Sequence, residues 1–219
     1  MSSDPAKERL YHAIGRVAAA LGSAGRLKIL EYVAQGERSV EALARMTGLS
    51  VANTSKHLQA LRQAGLVSAR KEGLRVYYSL AGDDVSLLLA SLRDVAQHRA
   101  ADVAKLLQTW LAHRDELEPV PAREVLSRLR NGLVTVLDVR PAEEFAAGHL
   151  PGAINIPVEK LEAFLATLPR RKEVIAYCRG PYCLMSFEAV AKLRKRGFKA
   201  KRLQDGYPEW RAAGLPVEQ

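Results

Sequence analysis

Cysteine is almost missing from this chain: there are two in 219 residues, Cys178 and Cys183, and none before them. That count excludes the multi-bridge framework on which small secreted domains rely. In the reducing compartment that such usage suggests, a structural disulfide is not expected, and the pair is left for reactive or redox chemistry. Long apolar runs are also lacking, since nothing approaches the roughly 20 residues needed to span a bilayer. The stretch from Ile14 to Gly25 follows Arg9, is cut by Arg16 and continues into a helical pattern, so it reads as part of the fold and not as a targeting segment. A cytoplasmic protein with no membrane partner is therefore expected. An excess of acid is absent too, the net charge being +9, while a hydrophobic content of 48% excludes a disordered chain.

The positive charge is unevenly spread. Lys and Arg exceed Asp and Glu by five over residues 26–80 and by six over 119–219, whereas 81–118 carries an acidic excess of three. The first of these segments has the balance of a surface that faces phosphates. Helical periodicity runs over residues 6–21 and again over 23–34. Ser39 then caps a helix over 40–46, Gly48 breaks the chain, and Ser50 caps a further helix that runs to about Ala64. Two short helices joined by Thr47-Gly48-Leu49-Ser50 form a helix-turn-helix signal. Residues 67–71 and 74–80 flank Glu72-Gly73 as a hairpin, and a hairpin in this place is a wing.

From Asp83 to Trp110 apolar residues recur every three or four positions, which predicts one long helix. A stripe of that length exceeds what one small domain buries, so the 83–112 helix is expected to pair with a second copy. Residues 113–121, ending in Pro119 and Pro121, read as a linker. Beyond it strands and helices alternate, which implies a mostly parallel sheet with helices on both faces. The expected division is thus a winged-helix and dimerisation domain over 1–112, a linker over 113–121 and an α/β domain over 122–219.

On the helix from Val51 to Ala64, Leu58 and Leu61 face inward, while Ala52, Asn53, Ser55, Lys56, Gln59 and Arg62 project outward. Amide, hydroxyl and cationic groups so arranged can meet base edges and phosphates in a major groove, with Lys71 and Arg75 of the wing on the neighbouring backbone. Residues 27–80 resemble the winged-helix repressors of the ArsR/SmtB family, through Arg26-Leu27-Lys28-Ile29-Leu30, through Ser55-Lys56-His57-Leu58-Gln59-Ala60-Leu61-Arg62 and Gly65-Leu66-Val67, and through Tyr77-Tyr78-Ser79-Leu80. The resemblance implies a homodimer on a palindromic double-stranded operator, released by an inducer. Many such proteins sense metals through cysteines or carboxylate–histidine clusters. This half has no cysteine, and no two histidines of the dimer helix share a turn, which leaves only Asp102 with His113 and Glu116 of a second copy as a combination that could meet across a dimer. No metal site and no cofactor are expected.

In the second half, the run Val174-Ile175-Ala176-Tyr177 precedes Cys178-Arg179-Gly180-Pro181-Tyr182-Cys183 and an amphipathic stretch, which predicts a buried strand, a tight loop and a helix. A thiolate at Cys178 gains from the loop amides and the helix N-terminus, so its pKa is expected to fall. Residues 122–216 resemble a single rhodanese domain, through Leu137-Asp138-Val139-Arg140, Gly148-His149-Leu150-Pro151-Gly152-Ala153, the cysteine loop, and Asp205-Gly206-Tyr207-Pro208-Glu209-Trp210. That resemblance makes Cys178 the nucleophile that carries a sulfane sulfur as a persulfide, with the amides of Arg179, Gly180, Tyr182 and Cys183 around the outer sulfur. Asp138, Arg140, Glu144 and His149 are read as structural.

Two departures bear on chemistry. Cys183 stands where rhodaneses often close the loop with a cation, and Pro181 lacks an amide. Cys183 can either attack a persulfide on Cys178, forming a link across the loop, or simply start the helix as a small apolar residue. The expected function is a DNA-binding regulator, a repressor, whose second domain senses a sulfane-sulfur donor or other small anionic inducer at Cys178. The alternative is a thiosulfate or persulfide sulfurtransferase, of rhodanese type and weak, with an accessory DNA-binding or dimerisation domain.

Overall fold

The computed structural model describes residues 4–111 and 119–219, and the chain divides into two compact units, one up to Val85 and one from Ser86 to Gln219. In the first unit lie helices α1 (Pro5–Leu21), α2 (Ala24–Val33), α3 (Val40–Thr47) and α4 (Val51–Gln63), with strands β1 (Arg38–Ser39), β2 (Val67–Glu72) and β3 (Arg75–Leu80). Serine caps set the two helix starts: Ser39 Oγ accepts from the Ala42 amide at 3.3 Å, and Ser50 Oγ from the Asn53 amide at 3.2 Å. Between them Gly48 ends α3 at φ +72°, a left-handed conformation that favours glycine and turns α4 away from α3. Ile29, Leu30, Leu43, Leu58 and Leu61 meet in a core without solvent exposure. The wing hairpin β2–β3 gains a third strand that the sequence did not announce. Strand β1 pairs antiparallel with β3, Arg38 opposite Tyr78, and two residues are too few to carry a period.

The second unit takes in all but the first turn of α5 (Asp83–Arg99), then α6 (Ala101–Leu111) and the α/β domain. Its five strands, β4 (Pro119–Val120), β5 (Val134–Asp138), β6 (Ile154–Asn155), β7 (Glu173–Tyr177) and β8 (Ala200–Leu203), lie in the order β4-β8-β7-β5-β6, every pair parallel. Helices α7 (Ala122–Arg130), α8 (Ala142–Ala147), α9 (Leu161–Phe164), α10 (Leu184–Lys195) and α11 (Tyr207–Ala212) connect and cover them. Alternation along β7 and its exit divides the core in two. Val174, Ala176 and Cys178 face one cluster with Leu137, Leu161, Ala189 and Leu193, while Ile175 and Tyr177 face another with Val136, Leu203, Tyr207 and Trp210.

Three expectations need correction. The single helix from Asp83 to Trp110 is two, broken at Ala100. The polar run Gln97-His98-Arg99 interrupts the apolar stripe, and Asp102 supplies a carboxylate to the first turn of the new helix. The end of the expected linker is not linker, because Pro119 and Val120 pair with Arg202 and Leu203 as the edge strand of the sheet; the rest of it, 113–118, lies outside the described residues. Finally, α5 clusters with the α/β domain and not with the winged helix, because side chains of its middle turns bind the cysteine-loop end of the sheet. Ser50→Ala, which removes a cap bond while leaving the α4 surface intact, is expected to lower stability by about 1 kcal/mol in urea unfolding.

Candidate functional site

Strand β7 ends at Tyr177 and delivers Cys178 at the carboxyl edge of the sheet, where loops of parallel α/β folds carry their chemistry. The two cysteines are joined across the loop as a disulfide, with their Cα atoms 6.4 Å apart. The bond closes a ring within one loop and ties no distant elements together. Cys178 is 1% exposed and packs in the core, whereas Cys183 is partly exposed at the N-cap of α10. Hydrogen bonds fix the rest: the Tyr207 amide donates to the Cys178 carbonyl at 3.1 Å, and Ser186 Oγ donates to the Cys183 carbonyl at 3.1 Å. The Cys183 amide donates to the Gly180 carbonyl at 3.1 Å, so in this state it closes a turn instead of joining a cradle for an outer sulfur.

Close packing supports the loop from below. A Cβ on Gly206 would stand 2.3 Å from the Gly180 nitrogen, so only glycine lets the segment before α11 come this near. Arg179 turns away from the ring to make a bidentate pair with buried Glu144 at 2.6 and 3.0 Å. Asp138 and Arg140, both without exposure, pair at 2.6 Å, and the Arg140 guanidinium donates to the Gly148 carbonyl and lies over the rings of Tyr207 and Tyr177. These charges are spent on one another, which makes them a scaffold for the loop. His149 is likewise structural: its ring stacks on Phe145, and its Nδ1 lies 3.0 Å from the Phe145 carbonyl.

Helix α5 holds the other side of the loop. Arg93 pairs with Glu209 of α11, and the Tyr182 hydroxyl donates to Gln97 Oε1 at 3.1 Å. Glu209 also accepts from the Gly206 amide at 3.0 Å. Burial raises the pKa of the Glu209 carboxyl, against the opposing pull of Arg93, and burial similarly raises Asp205 and Tyr182. A cavity of about 550 Å³ opens here, lined among others by Arg93, Asp94, Gln97, Tyr182 and Asp205.

On α4, Ala52, Asn53, Lys56, Gln59 and Arg62 are exposed and Ser55 is half-buried, so the expected groove-facing residues lie on one accessible side, with Thr54, Leu58 and Leu61 beneath. Lys71 and Arg75 are exposed at the tip of the wing, where Leu74 is also fully exposed. Among the described residues no three His, Cys, Asp or Glu side chains gather as metal ligands, and His113 and Glu116 lie outside them. No helix of the described residues is long and apolar enough to cross a membrane.

Comparison with known proteins agrees with both halves. The family described as bacterial regulatory protein, arsR family, matches residues 23–69, and the rhodanese-like domain matches 121–213. The HTH-type transcriptional regulator Rv0324 of Mycobacterium tuberculosis is 47% identical over 213 residues, covering 97% of this chain and 93% of that one. The chain belongs to the ArsR-family transcriptional regulators that carry a rhodanese domain. Human thiosulfate:glutathione sulfurtransferase is 34% identical over 100 residues, 40% of this regulator and 87% of that protein. A winged helix-turn-helix DNA-binding domain from Mycobacterium bovis, described as homodimeric, is 43% identical and covers 47% of this chain and 94% of that one, with a TM-score of 0.42.

Arg93 and Gln97 escaped the reading of the regulator's sequence, and Glu209 entered it only within a family motif, without its partner Arg93. Their one legible signal is that Arg93 and Gln97 stand four apart on α5, opposite its apolar stripe. The raised pKa of Glu209 has a consequence for stability. The folded protein binds this proton more tightly than the unfolded chain, so the contribution is fully present below the ordinary value of 4.5 and is lost as pH rises through the raised one. Urea unfolding from about pH 4 to pH 7 should show that loss in the wild type, and Glu209→Gln should remove it; parallel curves for the two proteins would contradict the assignment.

Proposed function

We propose that this regulator is a homodimeric repressor that registers reactive sulfur at the Cys178–Cys183 loop and passes the state of the loop to its DNA-reading half through α5. The observation that carries the reading is the pair of contacts that α5 makes beside the disulfide. In the dithiol form, Cys178 accepts a sulfane sulfur from a polysulfide or similar donor and becomes a persulfide. The Cys183 thiolate then attacks the Cys178 Sγ, the bond to the outer sulfur breaks, and sulfide leaves with that electron pair. Two thiols are oxidised to the disulfide and the sulfane sulfur is reduced to sulfide, so the proposed cycle ends in a ring between Cys178 and Cys183.

Transmission is a matter of helix faces. Leu88, Leu92 and Val95 are exposed along one side of α5 at spacings of four and three. At about 100° per residue, Arg93 and Gln97 lie about 140° and 180° round the helix from Leu88. One side is thus apolar and suits a second copy, and the other holds Tyr182 and Glu209. A shift in the loop that releases Tyr182 acts on the helix that follows the wing directly in the chain. In a dimer on a palindromic site, that helix governs the spacing of the two copies of α4, on which binding to successive major grooves depends.

A sulfurtransferase reading is favoured by one finding, the likeness of the second domain to an enzyme whose name includes thiosulfate and glutathione. The two readings separate on turnover, because a closed ring leaves Cys178 no thiolate to carry sulfur. Treated with polysulfide, the wild type should lose operator affinity by about tenfold or more, the scale of an ordinary coupling energy, while Cys178→Ser keeps its affinity and thiosulfate–cyanide turnover stays near background. Affinity that is unchanged in the wild type, or a fast Cys178-dependent turnover, would overturn the proposal.

A further inference from the structure

The two sulfurs of the ring differ in their surroundings, and the difference decides how the ring is opened. We infer that Cys183, and not Cys178, is the site that a low-molecular-weight thiol modifies, so that the loop returns to its dithiol form through a mixed disulfide on Cys183; this rests on reading the loop as a reversible sulfur switch and supplies its return step. Thiol–disulfide exchange needs the incoming thiolate to approach one sulfur along the line of the S–S bond. Cys178 is 1% exposed and is packed among residues of the sheet core, Ala176 and Ala189 included. A second layer covers it, because the Tyr207 amide binds its carbonyl and the glycine at 206 brings the chain before α11 against Arg179 and Gly180. Cys183 is partly exposed, and its neighbour Leu184 is 40% exposed. An external thiolate therefore meets Cys183 first.

The chemistry closes without a further reagent class. The thiolate attacks Cys183 Sγ, a bond forms between them, and the Sγ–Sγ bond breaks with its electron pair going to Cys178, which takes a proton from solvent as the loop opens. A second thiolate attacks the outer sulfur of the adduct, giving the oxidised small disulfide and the Cys183 thiolate. Two small thiols are oxidised and one protein disulfide is reduced. The thiolate left on Cys183 stands at the N-cap of the twelve-residue helix α10, whose positive end stabilises it. Cys183 is only partly exposed and also packs against the core cluster that holds Cys178, which favours a small thiol over the bulkier approach of a protein thiol.

The sequence makes the test direct, since cleavage after Arg179 places Cys178 and Cys183 on different tryptic peptides. The oxidised full-length protein is mixed with glutathione, quenched with iodoacetamide after short intervals and mapped by mass spectrometry. Glutathione on Cys183 with the alkyl group on Cys178 is expected, in excess of the reverse pattern by about tenfold. Glutathione mainly on Cys178, equal labelling of the two, or oxidised protein that contains no ring would each overturn the inference. As a second arm, reduced Cys178→Ser should react with oxidised glutathione faster than reduced Cys183→Ser, by a similar factor, with circular dichroism confirming that both are folded; equal or inverted rates also count against it. Adduct position does not depend on operator affinity. A loop that opens at Cys183 without altering DNA binding would therefore sink the regulatory reading and leave this one standing.

Discussion

The ion pair between Arg93 and Glu209, together with the hydroxyl of Tyr182 on Gln97, ties helix α5 to the carboxyl edge of a parallel sheet. Much else in the molecule is arranged around that edge. The buried pair Asp138–Arg140 braces the exit of β5, and the Arg179–Glu144 pair ties the loop after β7 to α8. Gly206 is there because no side chain fits between α11 and the loop backbone. The result is a rigid floor with one chemically labile bond on top of it, and a helix gripping the side. In the proposed mechanism the floor matters because a small change at the disulfide would pass to the grip on α5 and not be dissipated in the sheet.

Much of this was legible in the sequence, and for identifiable reasons. Ser39, Gly48 and Ser50 spell out the helix-turn-helix because caps and a left-handed glycine are local devices that depend on a few neighbouring residues. The parallel sheet is equally plain, since short apolar runs alternate with amphipathic ones. Cys178 stood out as the residue that ends a buried strand before a tight turn. What escaped was tertiary. The two-residue strands β1 and β4 have no period to detect, the second pairs at the sheet edge through residues that read as linker, and the break at Ala100 hides inside an otherwise continuous helical pattern.

The domain division shows the same limit. A stripe of Leu and Val along residues 83–112 pointed to one helix belonging with the winged helix; on α5 its members Leu88, Leu92 and Val95 are exposed, whereas Val85 and Leu89 are buried. The opposite side of that helix carries polar residues whose partners lie 85 and 116 positions away in the sequence, which no periodicity reveals. Cys183 is a related case: its position at the end of the loop was plain, yet its contrast in exposure with Cys178 arises only when the strand is buried and the helix starts at the surface.

The account stands on transmission through α5, and the most direct measurement is the ratio of operator dissociation constants for the disulfide and dithiol forms, in the wild type and in Tyr182→Phe. Loss of the hydroxyl leaves both cysteines and the whole of α4 untouched. The account predicts a ratio well away from one in the wild type that moves toward one in the variant. A wild-type ratio of one, or the same large ratio in both proteins, would contradict it.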